Sequence, residues 1–389
     1  MRTTHDLLLL IAFRTSRSVA AGMITIAFPY LILTRLHHSA LVLGLLYTAA
    51  AVATAALGLV FGFLADTWGQ KRTLVAVGLA LPLSSALVFG WTWLPALFLA
   101  VMLGGYSATG SLMEGGVGGA AQAPQTVALV ALTTRENRTF IFALFAFLGG
   151  VAAALGALSA RLFTVQNVFL AATGVSLAGI VCVIPIRFTE YRGNIHRLSS
   201  KRVIGKFSLT GALNGFAAGL IVPFLIPFFV IVYHVPKSQM SVYGFIAGIL
   251  ASVAVLAAPR MDRIWGFVNS IAVTRGVGTA LLIVLPLIHY LQLALLIYFV
   301  TPSLRVMVMP VQRTALTEMV NVDELGRAMG VNQVARLTAS SGGIAFTGYM
   351  FSASEIALPF YTYAAVMVFN IFLYFRFFRS LEEQVRSRK

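Results

Sequence analysis

Apolar residues run along this chain in long blocks, not in the alternation of half-buried strands or the one-sided stripes of soluble helices. A helix crossing the roughly 30 Å hydrocarbon layer needs about 20 predominantly apolar residues. Blocks of that kind fall near 7–34, 41–63, 73–93, 97–130, 139–163, 167–187, 207–233, 240–258, 268–288, 290–316, 327–351 and 355–376. They predict an all-α polytopic membrane protein with about twelve transmembrane helices. The first block is too long for a signal-peptide core and reads as a retained span. One connection is long and polar, Arg187 to Lys206. It divides the chain into an N-terminal six-helix bundle (1–187), a cytoplasmic linker (188–206) and a C-terminal six-helix bundle with a short tail (207–389). The basic linker is a solvated strip that anionic lipid headgroups attract without specificity.

Composition agrees: 59% of residues are hydrophobic and 10% charged, against about a quarter charged in soluble domains. The formal charge of +16 raises nucleic acid as a partner, and its placement removes it. One set of alternate connections holds Arg2, Lys71, Arg72, Arg135, Arg138, the six basic residues from Arg187 to Lys206, Arg260, Arg263, Arg327 and the five from Arg376 onward; the other holds Arg35, Arg161 and Lys237. That asymmetry is the positive-inside signature and puts both termini and the central linker in the cytoplasm. Cys182 is the single cysteine and six histidines are scattered. The spacing therefore supports no internal disulfide, zinc or haem site, and no cofactor is expected. No Gly-rich phosphate loop ending in Gly-Lys-Ser/Thr is present, so ATP-driven pumping has no support.

The halves resemble each other, as in transporter folds built by duplication. Ala20-Ala21-Gly22 followed by Pro29 recurs as Ala217-Ala218-Gly219 followed by Pro223 and Pro227. Asp66 after the second span recurs as Asp262 after the eighth. The run from Pro124 through Arg135-Glu136-Asn137-Arg138 recurs from Pro310 through Asp323-Glu324-Leu325-Gly326-Arg327.

The junction of the second and third spans reads Gly62-Phe63-Leu64-Ala65-Asp66-Thr67-Trp68-Gly69-Gln70-Lys71-Arg72. Gly62 lets the second span approach a neighbour, Gly69 permits a tight turn, and Asp66 can cap a helix or pair with a cation. This stretch resembles the signature loop of the major facilitator superfamily, with Thr67 in place of the usual basic residue. Helix count, central linker and duplicated halves extend the resemblance over the whole chain. It implies two pseudo-symmetric six-helix bundles and a cytoplasmic gate of Gly62, Asp66, Gly69, Lys71 and Arg72. Asp66 would help lock the bundles when the carrier faces outward. The second copy, Ala258 to Gly266, contributes Asp262 and Arg263 but lacks the first glycine and has one extra residue before Gly266. Gly149-Gly150 and Gly156 loosely resemble the family's antiporter motif, with Ala157 where that motif has proline; plain small-residue packing explains them equally. The fourth span, at Leu99 to Leu103, has no arginine where many proton-coupled members carry one.

Arginines inside apolar blocks are costly and usually face a cavity or a partner. Arg14 and Arg17 share a helix face; Arg305 and Arg336 lie about two turns in from the cytoplasmic ends of their spans, and Arg275 is similar in the ninth. In the resembled fold spans 1, 4, 7 and 10 line the central cavity, span 11 flanks it and span 9 is peripheral. That implies cavity or gate roles for Arg14, Arg17, Arg305 and Arg336, and sets Arg275 aside. The structural alternative pairs these arginines with Asp66, Glu136, Asp262 or Glu318. Tyr106, Asn214, Tyr243, Asn332 and Gln333 are candidate hydrogen-bonding groups for a bound solute, or else interhelical contacts. Glu114, in the Gly-rich stretch Gly110–Gly119, is the candidate proton carrier if the long fourth span is broken there; the alternative places it in a loop at the membrane edge.

These readings converge on a monomeric secondary transporter in a plasma membrane of the bacterial inner-membrane type, moving a small solute by alternating access. Its partners are that solute, protons or a counter-solute, and membrane lipids. The excess of intramembrane arginine over Asp and Glu favours an anionic or amphipathic anionic solute. Two alternatives stand: a drug-type proton antiporter, and a non-transporting receptor or scaffold on the same fold. No paired acids or His-metal cluster points to an enzyme.

Overall fold

The computed structural model describes residues 2–106, 121, 125, 128–129, 132, 138–186, 201–312 and 325–386. With no water in the hydrocarbon layer, each spanning segment must satisfy its backbone internally, and the apolar blocks accordingly become rods. The first half comprises α1 (Arg2–Tyr30), continued by a π turn over Leu31–Arg35, then α2 (Ala40–Trp68), α3 (Gln70–Gly90), α4 (Leu94–Gly104), α5 (Arg138–Ser159) and α6 (Asn167–Val181). The second comprises α7 (Lys201–Ile221) and α8 (Leu225–Val232), two pieces of one span joined by a 3-10 turn, then α9 (Lys237–Val255), α10 (Ala258–Val284), α11 (Leu291–Met307), α12 (Leu325–Ser352) and α13 (Leu358–Arg386). Helix α7 begins inside the segment read as linker. Among the described residues nine helices are long and apolar enough to cross a membrane; α4 and α6 are shorter apolar helices, and α12 carries Asn332, Gln333 and Arg336 along its 28 residues.

Helix packing repeats between the halves. In the first, α1 packs on α5 and α6, α3 on α4 and α6, and α2 on α4; in the second, α7 packs on α12 and α13, α10 on α11 and α13, and α9 on α11. The bundles meet along two seams, α2 against α12 and α5 against α9. Glycines make the repeated contact. A Cβ at Gly22 would collide with the Ala153 carbonyl and one at Gly156 with that of Val19; in the second half Gly219 meets Ser340 and Gly343 meets Phe216 in the same way. Backbones therefore touch where any other residue would hold them apart.

Backbone breaks repeat too. Gly69 (φ 87°) separates α2 from α3, and Gly266 (φ 76°) kinks α10 at the matching place, each following an exposed tryptophan, Trp68 or Trp265. His37 (φ 53°) and His234 (φ 52°) end the first span of each half. The sequence separation is the same for the glycine pair, the tryptophan pair and the histidine pair. Glu382 is an asymmetric feature: its carboxylate accepts the Phe267 and Val268 N–H groups, at 2.8 and 3.2 Å, just after the Gly266 kink.

The outer surface suits lipid. Leu59, Leu99, Leu170, Val253, Leu296 and Phe372 are each more than half exposed. Trp68 and Trp265 mark one membrane interface, and Trp91, Trp93 and Tyr290 the other, where amphipathic rings belong. The chain is thus an integral membrane protein. The end that carries both chain termini is the terminal end below; the opposite one is the far end.

Helix α4 is much shorter than the 97–130 block. It stops at Gly104, where Gly105 adopts the left-handed conformation (φ 59°) that favours glycine. Its 11 residues rise only about 16 Å, half of the hydrocarbon layer. The Gly-rich stretch beyond it, with Glu114, lies outside the described residues.

Candidate functional site

Two facts place the cavity. At the far end one hydrophobic cluster joins both bundles, from Ile24, Phe28, Tyr47 and Phe169 of the first to Phe224, Phe229, Tyr298 and Phe360 of the second. At the terminal end, among the described residues, each bundle has its own cluster, Leu10, Phe13, Leu74 and Ile180 in one and Phe207, Phe267, Tyr374 and Phe378 in the other. Polar contacts reinforce the far-end closure. Lys237, opening α9, donates from Nζ to the Ala160 and Phe163 carbonyls at the end of α5, both at 2.5 Å. Tyr30 donates to the Val235 carbonyl at 2.5 Å. On the other seam Gly44 lies against Gly348 without room for a Cβ, and Thr48 donates to the Ser341 carbonyl at 3.4 Å.

Between the bundles, closed at the far end, lies a cavity lined from α1, α5, α7 to α11 and α13. Its polar lining comprises Thr25, Asn214, Thr274, Arg275, Tyr298, Thr301, Arg305, Gln312 and Tyr363. The rest is apolar or small, with Ala21, Ala157, Gly244, Ala247, Gly248 and Ala251 prominent. Asn214 and Arg305 were singled out by sequence, and both line it.

Arg275 also lines the cavity, which corrects the expectation that the ninth span is peripheral. The reason is steric. The α9 lining, Gly244, Ala247, Gly248 and Ala251 at helical spacing, is made of small residues, and Gly278 on α10 itself leaves open space where a Cβ would sit, so the cavity extends to the α10 face that carries Arg275. Arg275 is 6% exposed, and its guanidinium stacks on the Tyr374 ring at 4.8 Å. Tyr374 is itself fixed, accepting a 2.8 Å hydrogen bond from Gln312 Nε2. Held by its face, the guanidinium keeps its in-plane fork of N–H donors, and Nη1 has no hydrogen-bond partner among the described residues. No described carboxylate pairs with it. Tyr298, Tyr363, Gln312 and the three threonines are not distinguished in the sequence, where no pattern separates them from ordinary interhelical contacts.

The other candidates sit elsewhere. Arg14 donates to Gln125 Oε1 at 3.3 Å and lies over Phe145 at 5.6 Å, against Gly149. Arg17, 6% exposed, lies over Phe13 at 5.4 Å. Tyr106 is in the packed core, edge-on to Phe28 and 3.3 Å from the Ser85 hydroxyl. Tyr243 packs on Phe299, bridging α9 and α11. Arg336 donates to Gln333 Oε1 at 2.9 Å one turn earlier on α12, and Asn332 Oδ1 faces Gly211 on α7. Among the gate residues, Gly69 makes the tight turn, and Lys71, Arg72 and Arg263 are exposed at the terminal end. Gly62 lies within α2, and the side chains of Asp66 and Asp262 lie outside the described residues. No group of three or more metal-ligating side chains occurs among the described residues.

The sequence profile of the Major Facilitator Superfamily matches residues 10–336. Among solved structures, a bacterial homolog of the human lysosomal transporter Spinster, inward-facing and occupied, superposes with a TM-score of 0.74 at 16% identity, covering 96% of each chain. A D-xylose–proton symporter gives 0.73 at 14%, covering 96% of this chain and 97% of that one. The human organic anion transporter MFSD10 (TETRAN) gives 0.70 at 11%, covering 96% of this chain and 100% of that one. At such identities the likeness speaks for the fold alone. No curated protein matches the sequence.

Proposed function

Because the chain belongs to the Major Facilitator Superfamily, we propose that it is a secondary active transporter that carries a small anionic solute by alternating access. The observation that carries this reading is the asymmetry of the two ends among the described residues: one shared cluster at the far end, separate clusters at the terminal end, and a cavity between. A rigid scaffold has no need of such an arrangement, whereas rocking bundles pass through it in every cycle. With the positive-inside rule placing the terminal end in the cytoplasm, this is the inward-open state. The division into bundles 1–187 and 207–389 around linker 188–206 belongs to the same reading. Asp66, Asp262 and the basic residues beside them form its cytoplasmic gate, and Glu114 its proton carrier.

The anionic charge rests on Arg275, which is buried, with Arg305 lining the same cavity. A buried cation is costly unless compensated, and in a low dielectric it attracts negative charge strongly. Asn214, Thr301 and Gln312 add hydrogen bonds. The apolar lining favours a second reading, export of lipophilic compounds by proton antiport; the two differ in the sign of charge accepted. A thermal-shift screen of the purified protein against organic anions, cations, sugars and amino acids finds solutes that stabilise it, and counterflow of the hits in proteoliposomes tests movement. Organic anions should stabilise and exchange. Stabilisation by cations alone would put the export reading first, and binding without exchange would point to a receptor.

A further inference from the structure

The charge of the cavity says only that an anion is welcome; its shape says more. Arg275, Arg305 and Gln312 gather toward the terminal end. Toward the far end the lining becomes Ile221, Leu225, Ile226 and Leu282, interrupted by Tyr298. Gly278, one turn on from Arg275 on the same face of α10, is buried and lines the cavity, yet nothing lies within 4 Å of the place its Cβ would take, so α10 leaves open space there.

A small hydrophilic anion would meet the Arg275 fork and leave the apolar part of this space to a few poorly bonded waters, since water settles only where two to four polar partners surround it. A neutral apolar molecule would fill that part and leave the cation uncompensated. Both demands are met by one molecule carrying a planar or tetrahedral oxyanion and an aliphatic chain. We propose that the cavity binds an amphipathic anion, its carboxylate or phosphate head forked on Arg275 beside Gly278 and its chain lying along the Gly/Ala face of α9. This deepens the transport reading and rests on it for its purpose, but the claim concerns binding and needs no movement.

The test uses full-length protein in nanodiscs of neutral phosphatidylcholine, titrated calorimetrically with decanoate, acetate, decanol and decyltrimethylammonium. Decanoate should bind at least about tenfold more tightly than any of the others. Arg275→Gln should weaken it about 10- to 150-fold, the worth of one charge-assisted hydrogen bond, and Arg275→Lys, keeping charge but not the fork, should recover part of that loss. Gly278→Leu should abolish binding by filling the space. Leucine is the better helix former, its Cβ meets no neighbour there, and the cavity lies beyond, so the unliganded variant should melt no lower than the parent, which keeps the test valid even where Arg275→Gln fails to fold. Equal binding of decanol or decyltrimethylammonium, acetate as good as decanoate, or decanoate binding untouched by Gly278→Leu would overturn the proposal. Repeating the titration with phosphatidylglycerol in the nanodisc separates the sources. If that lipid competes with decanoate in the parent but not in Gly278→Leu, the occupant comes from the bilayer; if it does not compete, it comes from water. Either result upholds the site. Decanoate binding without counterflow would sink the transport reading alone, and counterflow of another anion without decanoate binding would sink this proposal alone.

Discussion

The two bundles share a scaffold and differ in what they do with buried arginine. In the first, Arg14 and Arg17 lie on α1, laid over Phe145 and Phe13, and Arg14 reaches Gln125. In the second, Arg275 lies over the Tyr374 ring and lines the cavity, and Arg305 lines the same space. The glycine contacts that hold the first helix of each bundle against its fifth are meanwhile repeated pair for pair. Duplication thus preserved the contacts on which close packing depends, while the cavity wall diverged in one bundle. On the proposed alternating-access cycle, a recognition site lodged in one bundle would travel with it.

The largest effect should come from the shared scaffold. Gly22→Leu and Gly219→Leu both force a side chain into a carbonyl on the neighbouring helix, and overpacking against backbone costs about 3 kcal/mol or more. Both variants should lose thermal stability to a similar degree in detergent. A well-folded Gly219→Leu beside an unfolded Gly22→Leu would show that the equivalence is only superficial.

Next in size is the contrast between arginines. Arg275→Gln should cost about 1.5–3 kcal/mol of anion affinity with a modest change in stability. Arg17→Gln should do the reverse, altering melting temperature while affinity moves less than about threefold, within about 0.6 kcal/mol. Titration and melting of the same two preparations decide the matter, and a matching loss of affinity in both would return Arg17 to the site.

A smaller effect belongs to the seams. The α2–α12 seam is closed by backbone, Gly44 on Gly348, and the α5–α9 seam by the Lys237 ammonium on two carbonyls. Lys237 is only half-buried, so Lys237→Met should cost about 1 kcal/mol of far-end closure, roughly a fivefold shift in the ratio of states. Spin-label distances across the far end should lengthen in a larger fraction of molecules. An unchanged distribution would reduce Lys237 to a helix cap for α5.

Much of this was legible along the chain, for identifiable reasons. Rods follow from apolar blocks because lipid leaves the backbone no other partner, and Gly69 announced a turn that its conformational freedom allows; the matching kink at Gly266 emerges only in the fold. The fourth span was expected to break, if anywhere, in Gly110–Gly119, whereas α4 ends earlier, at Gly104, where Gly105 turns left-handed. What escaped notice depends on contacts between distant segments. Arg275 was visible as an intramembrane cation, but its access to the cavity depends on how little the α9 residues cover. Tyr374 became meaningful only when α13 packed on α10 and put its ring beneath Arg275. The glycine pairs were visible singly, and only the fold shows which carbonyl each one meets.

Exchange of closure between the two ends remains the most direct thing to measure. Labels at Lys71 and Arg260 report the terminal end, and labels at Ser39 and Ser354 the far end, in a Cys182→Ser background followed by double electron–electron resonance in nanodiscs. Alternating access predicts two distance populations at each end with opposite trends: conditions that shorten the Lys71–Arg260 distance lengthen the Ser39–Ser354 distance. A single invariant distribution at both ends, whatever anion is added, would contradict it and leave a rigid membrane scaffold with an anion site.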